Sequence, residues 1–406
     1  MNSADLALLT GPQAHDLLAT ALATAGGELV EWSVRQVDHR PGTSTTTAYR
    51  ARVRWGNSER TETLAATTGP VDVDSSPGVL ALSDGARQVA VWRFPQDPGL
   101  PALAAASDPQ QMADLLGSLG VPNVRAEDLH LRVRAYRPRR RAVIEVCAPS
   151  ARVFVKVLRP HGVAELHGRH DVLYAAGLPV PRSLGWTPEG LLVLAPLAGT
   201  SMRTELCRAK AVLPAVAEFT AVLDRLPEVV LDLARRPSWS DGARHYAGVI
   251  GSALPEESDR ATGLARAIEA GIAGIPHDEP THGDLYEGQV RLESGRISGL
   301  LDVDTAGPGR RADDFACLLA HVEVLGQMYP VHAARMAALS DSWLGEMDHS
   351  VDSTELRVRV AGVLLSLATG PHRVQERGWQ ASTRARLDLV EHWLQVPVAT
   401  RAARAR

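Results

Sequence analysis

Apolar and polar positions alternate with period two along much of the first half of the chain and recur at helical spacing along the second. Leu29–Val37, Thr45–Trp55 and Arg60–Ala66 follow the first pattern, which predicts three half-exposed strands. Arg40-Pro41-Gly42 marks the turn between the first two. A short helix over Pro12–Ala25, stopped by Gly26-Gly27, precedes them. Val79–Leu82 and Gln88–Phe94 predict a further hairpin around Ser83-Asp84-Gly85, the stretch Pro95–Pro101 interrupts the pattern, and a helix over Pro109–Leu119 closes this segment.

A second strand-rich block begins at His130. Leu131–Tyr136, Ala142–Cys147 and Arg152–Leu158, separated by Arg137–Arg141 and a Pro149-Ser150 turn, predict three antiparallel strands. A helix over Gly162–Ala176 follows, ending at Gly177 and Pro179, and then two more strands, Ser183–Trp186 and Leu191–Ala195, around Thr187–Gly190. The turns at Arg40 and Arg137 share a local pattern, which reads equally as a duplicated hairpin or as coincidence between short strings. Beyond residue 200 the period is helical: Arg208–Leu226, Ser258–Ala273, Phe315–Gln327, His332–Met347, Ser353–Leu367 and Ser382–Gln395.

One stretch departs from that helical half. In Thr281–Asp304 two apolar runs, an interrupted Leu285–Leu292 and Ile297–Val303, flank Glu293-Ser294-Gly295, which predicts strand, turn and strand. His282, Asp284, Gln289, Asp302 and Asp304 then gather at the mouth of the hairpin. Three carboxylates there repel one another unless a proton or a cation neutralises them. Oxygen donors without Cys or closely paired His suit a hard ion such as Mg2+. A His-x-Asp, a carboxamide five residues after the Asp, and a second Asp in an apolar strand form the kinase pattern for phosphoryl transfer. In that pattern Asp284 is the carboxylate that receives or orients the acceptor hydroxyl proton. Asp302 and Gln289 are the metal donors, and His282 bonds to the loop.

Composition narrows the class. At 406 residues, 45% hydrophobic and 22% charged, the chain is long enough for two or three domains. No apolar run reaches the ~18 residues of a membrane span. The first residues lack a basic n-region, so a signal peptide is not expected. A net charge of −4 argues against a nucleic-acid partner. Three scattered cysteines, Cys147, Cys207 and Cys317, fit a reducing cytoplasm. Of 43 basic residues only Lys156 and Lys210 are lysines, and Lys156 stands inside an apolar strand, where an ammonium is costly unless paired.

HGDLYEGQV at 282–290 and LLDVDTAGPGRRADDFA at 300–316 resemble the aminoglycoside phosphotransferase-like kinases. That family also takes in choline and homoserine-type kinases and actinobacterial maltokinase-like sugar kinases. The resemblance covers about residues 130–400 and departs from the family at Gln289, where Asn is usual. It implies a bilobal protein-kinase-like α+β fold, with an antiparallel-sheet N-lobe over 126–198 and a mostly helical C-lobe over 199–406 that carries the hairpin 281–304. Residues 1–125 are then an additional N-terminal cap, as in maltokinase-like proteins. It also implies ATP and Mg2+ as cofactors and a small-molecule hydroxyl as acceptor, a sugar or amino sugar first. Lys156 would pair with Glu165 and contact the nucleotide phosphates, and the backbone at Leu194, Ala195 and Leu197 would hold the adenine. Asp304 matches an acidic residue at the substrate or behind the metal, and Asp314 the residue that anchors the catalytic loop. The first N-lobe turn lacks the glycines of a phosphate-covering loop and offers arginines, of which Arg139 and Arg141 are candidate phosphate contacts. A pseudokinase without turnover is the alternative that Gln289 and the missing glycines allow. A protein kinase is disfavoured because no Ala-Pro-Glu follows Asp302.

Overall fold

A computed structural model describes residues 2–72, 76–83, 85, 87–149, 151–208 and 211–397. Asp84, Ser150 and Lys210 lie outside the described residues. The chain packs as two units. The first comprises Met1–Gly168, Arg182–Pro196 and His372–Arg377, and the second Arg169–Pro181, Leu197–Pro371 and Gly378–Arg406.

The first unit holds two five-stranded antiparallel sheets. One consists of β1 (Glu28–Arg40), β2 (Ser44–Trp55), β3 (Ser58–Thr67), β4 (Val79–Ser83) and β5 (Gln88–Arg93), in the order β1-β2-β3-β5-β4. The other consists of β6 (His130–Arg137), β7 (Arg141–Cys147), β8 (Arg152–Val157), β9 (Ser183–Trp186) and β10 (Leu191–Leu194), in the order β6-β7-β8-β10-β9. The two orders are the same: a three-strand meander, then a swapped pair. The likeness between the Arg40 and Arg137 turns therefore extends to whole sheets. Each sheet follows a pair of helices, Asn2–Thr10 with Ala14–Ala23 and Leu103–Ala106 with Pro109–Ser118.

Packing follows the alternation. Leu18 and Leu22 of the helix Ala14–Ala23 meet Tyr49, Val53, Leu64 and Val91 on the first sheet. Met112 and Leu116 meet Ile144, Val153 and Val155 on the second. Each such side chain contributes about 1.5–3 kcal/mol when fully buried. The helix Pro109–Ser118 begins where Asp108 accepts the Gln111 N–H and Pro109 occupies the first turn. The opposite face of the second sheet carries the helix Pro160–Ala175, whose Val163 and Leu166 pack on Leu192, Leu194 and Phe154.

The arginine turn is engaged by residues of the first unit. Asp97, buried in the stretch 95–101, accepts the Tyr136 hydroxyl at 2.7 Å and the Arg139 backbone N–H at 2.9 Å. The Arg139 guanidinium donates to Thr67 Oγ1 at 3.2 Å and to the Pro70 carbonyl at 2.7 Å. Arg140 pairs with Asp38 at 2.9 Å. A basic turn beside an acidic and carbonyl-rich neighbour satisfies itself there, so Arg139 and Arg140 tie the two sheets together.

The second unit is mainly helical. Arg311–Met328 and Ser353–Ala368 are buried on most of their faces, the mark of central helices. Leu318, Val322, Val360 and Leu364 belong to their common core. Arg359 is fully buried and bonds to Asp313 at 2.5 Å and to Glu355 at 2.7 Å. Such a charge is tolerated only with its carboxylates. The expected helix over Arg208–Leu226 is shorter, Val216–Leu223, because Pro214 removes an N–H donor and clashes with the preceding turn. Glu323 accepts the Ser340 hydroxyl at 2.6 Å. Among the described residues, no helix is long and apolar enough to cross a membrane.

Candidate phosphotransfer site

The expected first strand of the catalytic hairpin is broken. The ladder runs only between Val290–Glu293 and Arg296–Leu300, and residues 285–288 form a loop that leads into it. A separate pair, Glu279–Thr281 with Gly307–Gly309, brings the two ends of the region together.

The loop His282–Asp284 is held by its main chain. Asp314, fully buried near the start of the helix Arg311–Met328, accepts the His282 N–H at 2.9 Å and the Gly283 N–H at 2.8 Å. Burial pushes the Asp314 carboxyl up to about 7, against the two N–H groups that favour its charge. Gly283 has φ of 79°, and a Cβ there would lie 2.8 Å from the Thr305 carbonyl oxygen, so the position requires glycine. Thr305 Oγ1 donates to the His282 carbonyl at 3.0 Å.

His282 is buried, with Nε2 2.9 Å from the Leu301 carbonyl and Nδ1 3.3 Å from the Asp284 N–H. A carbonyl only accepts and a backbone N–H only donates, so Nε2 carries the proton and Nδ1 accepts. The neutral ring thereby stitches the loop to the second hairpin strand. Asp284 is half-buried, and its Oδ1 accepts the indole N–H of Trp239 at 3.2 Å.

Gln289 and Asp302 meet. The Gln289 amide nitrogen lies 3.3 Å from Asp302 Oδ2 and 3.1 Å from the Tyr286 hydroxyl. Asp302 adopts a left-handed backbone, φ 57° and ψ 49°, directly after the strand Arg296–Leu300 and Leu301. A non-glycine residue held there is strained, and such strain gathers at functional positions. The Tyr286 ring stacks on His321 with centroids 4.1 Å apart. Burial drives the His321 imidazole down to about 3, so it is neutral at pH 7. Beneath it Glu287, fully buried, pairs with Arg203 at 2.6 Å. Asp304 lies in the turn Val303–Thr305, and its carbonyl accepts from the buried Arg169. Among the described residues no three His, Cys, Asp or Glu side chains converge as a metal cluster.

The remaining expected residues lie in the first unit, save Leu197, which belongs to the second. Lys156 is only 8% exposed on β8, opposite Val143 and Leu192. It shares a sheet face with Phe154 and Leu158, the face covered by the helix that carries Glu165. Glu165 itself is exposed. Leu194 is buried at the end of β10, and the Ala195 N–H donates to the Arg182 carbonyl at 2.9 Å. Leu197 lies against Gly299, where a Cβ would come within 2.7 Å of its side chain. Arg141 opens β7 and pairs in register with Arg137.

Sequence reasoning missed Trp239 and Tyr286. Tyr286 lies between Asp284 and Gln289, so the motif itself points to it. Trp239 is 45 residues upstream of the carboxylate it touches, and nothing local announces the contact.

Comparison with known proteins adds one decisive observation. The model of the phosphotransferase enzyme family APH matches residues 139–348, which is half of the chain and spans Lys156, Glu165, Asp284, Gln289, Asp302 and Asp314. The chain belongs to this family. It is a small-molecule phosphotransferase of the α+β, protein-kinase-like class. No curated protein sequence matches it. Among solved structures, a thermostable mutant of aminoglycoside phosphotransferase APH(4)-Ia in its apo form is similar at 15% identity, over 70% of this chain and 99% of that one, with a TM-score of 0.49. Macrolide 2'-phosphotransferase MphH from Brachybacterium faecium is similar at 15% identity, over 72% and 99%, with a TM-score of 0.37. A Plasmodium vivax ethanolamine kinase is similar at 10% identity, over 65% and 83%, with a TM-score of 0.41.

Proposed function

We propose that this phosphotransferase moves the γ-phosphoryl group of ATP to a hydroxyl of a sugar or amino sugar, with Mg2+ as the metal. The observation that carries the reading is the clamped loop: Asp314 fixes the backbone at His282 and Gly283, and Asp284 follows at once. A carboxylate on a rigid loop can take the acceptor proton at a defined point, and holding reactants in line supplies most of what phosphoryl transfer needs. The acceptor oxygen forms the new bond to phosphorus, the bond to the leaving nucleoside diphosphate breaks, and the hydroxyl proton passes to Asp284.

The donor set fits the metal. Gln289 and Asp302 offer oxygen donors to one point, 3.3 Å apart through the amide as it stands, and rotation of the carboxamide turns its carbonyl toward that point. When bound there, Mg2+ supplies charge neutralisation for phosphate oxygens. Gln289 keeps the carbonyl of the usual Asn on a longer stem, and Tyr286 steadies that stem. In this reading residues 1–125 are the cap. Residues 126–198 supply Lys156, paired with Glu165, for the phosphates, and Leu194 and Ala195, with Leu197, for the base. Residues 199–406 supply the catalytic hairpin, with Asp304 toward the acceptor or behind the metal. Use of ATP puts the reaction in the cytoplasm.

The test is Mg2+-dependent ADP release against sugars, amino sugars, aminoglycosides and choline-like alcohols. Turnover on sugars or amino sugars supports the reading. Turnover confined to another class overturns the acceptor assignment. ATP binding with no turnover on any acceptor favours the pseudokinase.

A further inference from the structure

The Trp239 side chain reaches Asp284, and the segment that carries it is held in place. It stands in the sequence Ser238-Trp239-Ser240-Asp241. The Asp241 carboxylate accepts the Ser238 N–H at 2.7 Å, and the Ser238 hydroxyl accepts the Asp241 N–H at 3.3 Å, a reciprocal box around the tryptophan. Arg235 closes it by bonding to the same carboxylate at 2.5 Å. Ser240, buried, rests on the helix Ser353–Ala368 at Gly362, where an added Cβ would come within 2.4 Å of the serine hydroxyl. Gly242 makes room for Tyr246, whose ring lies 6.3 Å from that of Trp239. These contacts fix the segment Ser238–Asp241, the Tyr246 ring lies beside the Trp239 ring, and the indole nitrogen ends 3.2 Å from Asp284 Oδ1.

We propose that Trp239 is a positioning residue for phosphoryl transfer, its indole N–H holding the Asp284 carboxylate in the orientation that receives the acceptor proton. The inference rests on the functional reading above. An indole suits the task because it only donates: it steadies the carboxylate without competing for the proton that Asp284 must take. An orienting group matters because a displacement of about 1 Å at a reacting centre costs on the order of 100-fold in rate.

The experiment compares wild type with Trp239→Phe, which keeps a ring against Tyr246 and removes the N–H. The expected result is a kcat lower by about 10- to 100-fold, with the KM values for nucleotide and acceptor held within about twofold. A Trp239→Phe enzyme with wild-type kcat overturns the inference. In parallel, the Trp239 indole resonance, assigned by its loss in Trp239→Phe, is followed in an 15N spectrum of the unliganded protein. It is expected to shift and to exchange faster in Asp284→Ala, and an unchanged resonance overturns the inference whether or not an acceptor is in hand. A wild-type enzyme that transfers phosphate to no acceptor instead overturns the reading beneath it.

Discussion

Asp314 holds His282 by the main chain: the buried carboxylate takes the His282 N–H at 2.9 Å, and its other oxygen takes the next N–H at 2.8 Å. Bonds of this charge-assisted kind are worth about 1.5–3 kcal/mol each. Burial nevertheless raises the Asp314 carboxyl to about 7, so the fold binds its proton more tightly than the unfolded chain does. A group with a raised folded-state value favours the fold at low pH and loses that contribution as pH rises, here from about 4 to about 7. Asp314→Asn removes the titration and one acceptor. The midpoint of thermal unfolding of wild type, taken relative to Asp314→Asn, should fall across that window. A difference that grows with pH contradicts the assignment.

Arg359 is another buried charge of the second unit, and Asp313 and Glu355 both point at it. Arg359→Met leaves two carboxylates in the core with one fewer cation. Breaking a buried pair in this way costs about 3–5 kcal/mol, and urea unfolding should show a loss of that size. A loss below about 1 kcal/mol would mean that water reaches the site.

Arg139 is engaged by Thr67 and Pro70, and Arg140 by Asp38, within the first unit. Arg139→Ala should therefore leave ATP affinity within about twofold while lowering stability by about 1–3 kcal/mol. Titration calorimetry and a urea curve on the same variant decide it. A tenfold loss of ATP affinity would restore the arginine to the phosphates.

Tyr286 accepts the Gln289 amide, and the Gln289 amide faces Asp302. Partners of metal donors typically change metal affinity by about 10- to 100-fold when removed. Tyr286→Phe should raise the Mg2+ concentration for half-maximal activity by at least about tenfold, with turnover recovered at saturating metal. No change would show that the tyrosine does not support the donor pair.

Many strands were legible in the sequence because alternate residues face different sides and so keep a period of two, while the helices Arg311–Met328 and Ser353–Ala368, buried on most of their faces, show as long apolar-rich runs. Val153, Val155 and Val157 fill one core and Phe154 the other, as alternation requires. The motif residues at 282–304 were legible because they fall within one short stretch of chain. What periodicity does not encode is long-range partnership. Nothing local in the Arg137–Arg141 turn shows that Asp97 and Asp38 arrive there from elsewhere in the chain. The contact of Trp239 with Asp284 escaped the sequence for the same reason. The helix expected from Arg208 ignored Pro214, a local signal outweighed by the apolar spacing around it.

The most direct measurement is single-turnover phosphoryl transfer by Asp284→Asn, with ATP affinity measured on the same protein. The account predicts transfer slower by at least about 100-fold, with ATP bound as in wild type. Transfer at the wild-type rate would contradict the role of Asp284, and with it the mechanism.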